Sequence, residues 1–154
     1  MRLALFQPDI PQNTGTLLRT AACLGVVVDL IEPCGFVFSE KGLKRAGMDY
    51  LAAVELVRHL SWQAFAESDT RRQGRLVLLS TRSATPYTDV KFTAHDILMV
   101  GRESAGVPDD VYQSADLTVT IPMVPDSRSL NVAIAAAMVL GEALRQIAQK
   151  DGGK

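Results

Sequence analysis

Cysteine and histidine are scarce in this 154-residue sequence, with two of each. Cys23 and Cys34 have no second cysteine pair or histidine nearby, so the spacing of a zinc site is missing and two buried, reduced thiols are expected instead. His59 and His95 stand far apart and fit no H-E-x-x-H pattern; each is expected at the surface or at a helix cap, and no metal is expected. Charge of one sign is lacking too. Sixteen Lys and Arg against seventeen Asp and Glu leave a net charge of −1, so no global field gathers a polyanion. The longest apolar run, residues 132–141, falls short of the roughly 18 residues that a membrane span needs. The opening MRLALF meets Gln7-Pro8-Asp9 too soon, and without a small-residue cleavage site, to read as a signal peptide. A soluble, cytoplasmic protein with no membrane partner is expected.

Two nucleotide signatures are also missing. No G-x-G-x-x-G follows the first strand, and GRESAGVP continues into Val107-Pro108 where a P-loop needs Gly-Lys-Ser/Thr. Nucleotide hydrolysis and the ordinary dinucleotide fold both lose support.

What is present is an alternation. A 47% hydrophobic content suits one globular domain, assigned to residues 1–150, with residues 151–154 as a disordered tail. Short β-branched runs at 3–6, 26–31, 76–80, 97–100 and 117–121 read as strands, with a possible extra strand at 54–58. Helical patterns at 14–24, 41–46, 61–67, 108–114 and 129–150 fit between and after them. The pattern predicts an α/β domain, with a mainly parallel sheet flanked by helices on both faces. Ligands of such sheets sit beyond the carboxyl ends of the strands, which singles out the windows 7–15, 32–38, 80–85, 101–108 and 122–131. In the last helix, VAIAAAMVL leaves no polar stripe, so the helix is either wholly internal or covered by a second copy of the chain. A homodimer through this helix is expected.

Three loops carry candidate chemistry. In PDIPQNTG, two prolines stiffen the turn, Asn13 fits an N-cap, and Arg19 one turn later is either a surface cation or an anion clamp. In GRESAG, two glycines allow close backbone approach to a ligand, although a plain strand-to-helix turn explains them equally. In IPMVPDSRSLN, Ser127 or Ser129 can cap the following helix, which leaves Asp126, Arg128 and Asn131 without a structural reason.

Taken in order, Asn13 with Arg19, then Gly101 to Gly106, then Ile121-Pro122-Met123 with Ser129-Leu130-Asn131 resemble the three motifs of the SPOUT superfamily of RNA methyltransferases. The segments IPQNTG, EPCGF with KRAGMDY, and IPMVPDSRSLN are similar to those of its small bacterial members that methylate the 2′-hydroxyl of cytidine or uridine 34 in tRNA. The resemblance implies a C-terminal trefoil knot, which general topology rules disfavour, and an obligate homodimer. It implies S-adenosylmethionine as cofactor, held largely by backbone atoms at Leu79, Gly101, Ile121, Met123, Ser129 and Leu130. It makes Arg19, Ser129 and Asn131 the catalytic candidates, and Asn13, Arg19, Glu103 and Arg128 substrate contacts. A guanidinium stays protonated, so the implied role of Arg19 is to orient the nucleotide and stabilise a developing alkoxide. The tRNA anticodon loop is the implied partner, and Lys41, Lys44 and Arg45 are candidates for its phosphates. The resemblance points to leucine tRNA as substrate. A non-catalytic RNA-binding or assembly factor of the same fold is the alternative, and an enzyme acting on a small phosphate ester a third reading.

Overall fold

The computed structural model describes residues 1–39, 42 and 53–151. Lys41, Lys44, Arg45, the KRAGMDY segment and nearly all of the helix expected at 41–46 lie outside the described residues. Six strands form one sheet: β1 (Arg2–Phe6), β2 (Val27–Ile31), β3 (Leu56–His59), β4 (Arg75–Leu79), β5 (Asp96–Val100) and β6 (Leu117–Val119). Their order is β3-β2-β1-β5-β4-β6 and every pairing is parallel. The expected parallel α/β architecture is borne out, and the possible strand at 54–58 forms the edge strand β3.

The sequence of β1 explains why it lies near the middle. Leu3 and Leu5 point to one face while Ala4 and Phe6 point to the other, and all four are buried. A strand apolar on both faces must be covered on both. On one side lie α1 (Pro11–Leu24) and the C-terminal helix α5 (Val132–Asp151). Leu17, Leu18 and Ala21 of α1 join Ala133, Ala136, Val139, Leu140 and Ala143 of α5 in the core there. On the other side, α2 (Trp62–Ala66) supplies Phe65 and α4 (Asp109–Gln113) supplies Val111. α3 (Asp69–Gln73) buries no side chain, which is why its sequence shows no apolar period; Ser68 caps it by accepting from the Arg71 amide.

Several expectations are corrected. α1 starts at Pro11, after Ile10, so Asn13 lies inside the helix rather than capping it. His59 is buried, not at the surface: its Nε2 bonds the Asp29 carboxylate at 2.9 Å and its ring meets Phe65 edge-on. Asp29, 0% exposed in β2, also receives a two-pronged bond from Arg2 at 2.7 and 3.0 Å. Without those partners its buried charge would be strongly destabilising. His95 is exposed. Cys23 is exposed on the outer side of α1 rather than buried, and Cys34 is half-buried, its thiol pushed up to about 11 by burial and by Glu32. Helix α5 continues through Asp151, past the tail boundary expected from sequence. As a whole it reaches the length and mean hydropathy of a membrane span, 1.2 over Val132–Gln149, although the apolar run inside it is shorter. Its buried side is packed on the sheet, as the core helix of a globular domain is.

β1 is flanked by β2 on one side and β5 on the other. The chain leaves β1 towards β2 and leaves β5 towards β6, in opposite directions across the sheet. Loops that diverge in this way open a crevice between them at the carboxyl ends of the strands.

Candidate active site

A cavity of about 550 Å³ occupies that end of the sheet. The size is within the roughly 300–1,000 Å³ of small-molecule sites. Four of the five windows chosen from sequence line it; 32–38 does not. Leu79 ends β4 and Ser80 and Thr81 follow it, residues 101–107 follow β5, Thr120, Ile121 and Met123 follow β6, and residues 128–131 lead into α5, which Val132 begins. Ile10 and Asn13 complete it from the start of α1.

The loop after β5 is closed on itself. The Arg102 amide donates to the Gly106 carbonyl and the Gly106 amide returns to Arg102, both at 2.9 Å. Gly106 has φ +63, a left-handed conformation natural to glycine, and a Cβ on Gly101 would sit 2.6 Å from the Gly106 carbonyl carbon. Both glycines are therefore needed to make one small rigid ring of the cavity wall.

The loop after β6 is pinned at both ends. Thr120 extends the strand by donating to the Thr85 carbonyl at 2.8 Å and accepting from the Tyr87 amide at 2.9 Å. A turn follows in which the Ser127 hydroxyl donates to the Val124 carbonyl at 2.6 Å, with Asp126 at φ 67. Ser127 is thus a turn residue. The cap of α5 is Asn131, whose Oδ1 accepts from the Ala133 and Ile134 amides at 2.9 and 3.3 Å. Its Nδ2 donates to Asn13 Oδ1 at 2.9 Å, which joins α1 to α5 at the cavity edge.

A carboxyl pair stands where β1 and β5 end. Asp9 donates its amide to Glu103 Oε2 at 3.0 Å and accepts the Glu103 amide on Oδ1 at 3.1 Å. The Ser104 hydroxyl donates to Asp9 Oδ2. The hydrogen bond from Glu103 holds the Asp9 carboxyl down to about 2, helped by Ser104. Burial and then the hydrogen bond with Asp9 push Glu103 up, with Asn13 pulling weakly the other way. Two like charges this close disfavour joint ionisation, which pushes the two carboxyls apart, Asp9 down and Glu103 up. Glu103 Oε1 is buried at the cavity without a hydrogen-bond partner.

The structure brings Leu79, Gly101, Ile121, Met123, Ser129, Leu130, Asn13, Glu103, Arg128 and Asn131 to one cavity. It does not bring Arg19, which is exposed on α1 and does not line the cavity of its own chain. Ser80, Thr81 and Arg102, from the windows 80–85 and 101–108, also line it, as does Thr120, which the shorter β6 leaves just beyond the strand end. Asp9, within the window 7–15, carries no local signal of its own; its contacts with Glu103 and Ser104 mark it.

The lining fits a flexible, partly apolar nucleoside-like cofactor: Leu79, Val100, Ile121 and Leu130 give apolar walls, and strand-end backbone gives donors and acceptors. Among the described residues no cluster of metal-ligating side chains occurs.

The SpoU rRNA Methylase family matches residues 1–141. A tRNA (cytidine(34)-2′-O)-methyltransferase of Beijerinckia indica subsp. indica is 61% identical over 145 residues, which cover 94% of this chain and 91% of that protein. A solved structure presented as "Structural insights into the 2-OH methylation of C/U34 on tRNA" superposes with a TM-score of 0.86 at 43% identity, covering 94% of this chain and 89% of that one. An AdoMet-bound rRNA methyltransferase from Sinorhizobium meliloti superposes with a TM-score of 0.82 at 27% identity, over 94% of this chain and 55% of that one. With a match over nearly its whole length and the cavity assembled from the loops that carry the motifs, the chain belongs to the SpoU rRNA Methylase family.

Proposed function

We propose that the protein transfers a methyl group from S-adenosylmethionine to the ribose 2′-hydroxyl of the wobble nucleotide, cytidine or uridine 34, of tRNA, with leucine tRNA as the substrate. The observation that carries this reading is the convergence of the loops after β4, β5 and β6 on one cavity, in a chain 61% identical to a tRNA (cytidine(34)-2′-O)-methyltransferase. S-adenosylmethionine supplies an electrophilic methyl group on a sulfonium. Leu79, Gly101, Ile121, Met123, Ser129 and Leu130 are assigned to hold it, largely through backbone atoms, and most of the rate comes from alignment with the ribose oxygen.

Asn13, Glu103, Arg128, Ser129 and Asn131 are assigned to the nucleotide side of the cavity. Asn131 contributes through its second amide hydrogen and by fixing the loop, because its oxygen is taken by the helix amides. Arg19 is assigned to the tRNA ribose and phosphate, reaching the substrate from a dimer face, as a lasting cation that stabilises developing negative charge. Ile134 and Met138, four residues apart on α5, are 57% and 40% exposed. A second copy of the chain on this face forms the homodimer. The C-terminal segment is assigned to a trefoil knot on the strength of family membership, and the cytoplasm is the compartment in which tRNA is met.

The test is incubation with methyl-labelled S-adenosylmethionine and leucine tRNA bearing C34 or U34, followed by mapping of the label. Label on the 2′-oxygen of nucleotide 34 is the expected result. Saturable tRNA binding with neither cofactor binding nor transfer would make the protein a non-catalytic RNA-binding factor.

A further inference from the structure

Asp9 is not among the residues that line the cavity, yet it holds more of the cavity wall than any of its immediate neighbours in the β1–α1 loop. Its carboxylate takes the Glu103 amide at 3.1 Å and the Ser104 hydroxyl, while its own amide closes the pair on Glu103 Oε2 at 3.0 Å. The ring of residues 101–106 is already rigid within itself, so these bonds orient it as one body. Asp9 is in turn wedged from behind. The Gly35 amide donates to the Pro8 carbonyl at 2.9 Å, and a Cβ on Gly35 would sit 2.6 Å from the Asp9 Cβ. The Asp9 side chain thus joins the loops that leave β1 and β5, and the Pro8 carbonyl beside it ties them to the loop that leaves β2, at the point where the sheet's connections diverge.

We propose that Asp9 is a positioning residue, which holds the wall of residues 101–106 in place and sets the direction in which Glu103 presents its carboxyl to the cavity. The inference rests on the reading of that cavity as the cofactor and nucleotide site. It explains the buried, unpartnered Oε1 of Glu103: with Oε2 held by the Asp9 amide, the other oxygen is kept for a ligand.

The test compares the full-length chain with D9A, D9N and S104A by three measurements. Amide hydrogen exchange reads residues 101–106 with no ligand present. Exchange there is expected to quicken about tenfold or more in D9A, because charge-assisted hydrogen bonds are lost. Calorimetry with S-adenosylmethionine and labelled transfer to tRNA are run well below the unfolding temperature, where a purely structural residue leaves both unchanged. In D9A, transfer is expected to fall about a hundredfold through misplacement of the wall. D9N, which keeps an acceptor for the Glu103 amide, is expected to recover most of the exchange protection and cofactor affinity. S104A, which removes one donor and leaves the carboxylate, is expected to fall between wild type and D9A, and it decides the matter if D9A does not fold. Wild-type exchange and transfer in D9A or S104A, or a D9N variant as impaired as D9A, overturns the proposal. A wild-type chain that binds no S-adenosylmethionine overturns the functional reading instead, and the exchange result still decides whether Asp9 holds the wall.

Discussion

Asn131 and Asn13 meet across 118 residues of sequence, with Nδ2 of Asn131 donating to Oδ1 of Asn13 at 2.9 Å. The same Asn131 caps α5 through its oxygen. One side chain therefore starts the last helix, ends the β6–α5 loop and ties both to α1. Two substitutions separate these duties. Asn131→Asp keeps the cap, since a carboxylate accepts from the Ala133 and Ile134 amides, but cannot donate to Asn13. Asn131→Ala loses both. In chemical denaturation Asn131→Ala is expected to be less stable than wild type by roughly 2 kcal/mol, about one for the cap and one for the hydrogen bond. Asn131→Asp is expected to lose about half as much.

Gly101→Ala tests the closed ring after β5. The added methyl meets the Gly106 backbone at 2.6 to 2.8 Å, and neither partner is a flexible side chain that can step aside. The ring must open, and S-adenosylmethionine affinity measured by calorimetry is expected to fall at least tenfold, about 1.4 kcal/mol. Gly106→Ala meets no neighbour but keeps φ +63, so its cost is the left-handed strain alone, about 1–2 kcal/mol of stability. Equal cofactor affinity in Gly101→Ala and wild type would show that the ring does not shape the site.

The carboxyl pair gives a pH dependence of stability whose sign follows from Asp9. Its folded-state pKa, about 2, is below its ordinary 3.8, so its contribution is present above 3.8 and is lost as pH falls through 2. Glu103 is shifted the other way; any stability it contributes is present below its ordinary 4.5 and lost as pH rises through its raised folded value. Urea midpoints of wild type and Asp9→Asn, measured from pH 6 to pH 2, are expected to converge as the pH drops between 3.8 and 2. Curves that stay parallel over that window would mean that Asp9 is not held below its ordinary value.

Arg19 and the exposed face of α5 are tested together. Arg19→Ala is expected to lower transfer by at least about a hundredfold, the scale for removing one charge-stabilising donor, and to leave S-adenosylmethionine affinity unchanged. Ile134→Asp combined with Met138→Asp, on the outward side of α5, is expected to give a monomer in light scattering. A monomeric Arg19→Ala variant would instead make Arg19 a structural residue.

Periodicity carried the architecture because burial leaves a one-dimensional record. LALF, LVLL and ILMV, of β1, β4 and β5, are apolar on both faces only because helices cover both faces, and those three strands are legible from such runs. Four of the five windows beyond the strand ends line the cavity, since a parallel sheet exposes free backbone groups there. α3 was not legible, because a helix that buries nothing has no apolar period. His59 and Asp29 were misjudged or passed over because a buried polar side chain is marked by its partners, and Arg2, Asp29 and His59 come from three separate strands. The cap of α5 was placed on a serine because Ser127 and Asn131 are equally good caps by residue type; the turn at 124–127 uses up the serine.

By itself, then, the sequence determined the parallel sheet, the identity of the loops beyond its strands and the motifs that mark the family, since each is written in local order and spacing. Only the tertiary structure decided that Asp9 meets Glu103 and Ser104, that Asn131 meets Asn13, and that Arg19 lies outside the cavity of its own chain. The first two are contacts between segments about a hundred residues apart, and no local pattern records them, because a carboxylate or amide looks the same in a chain whether its partner is water or the far end of the fold.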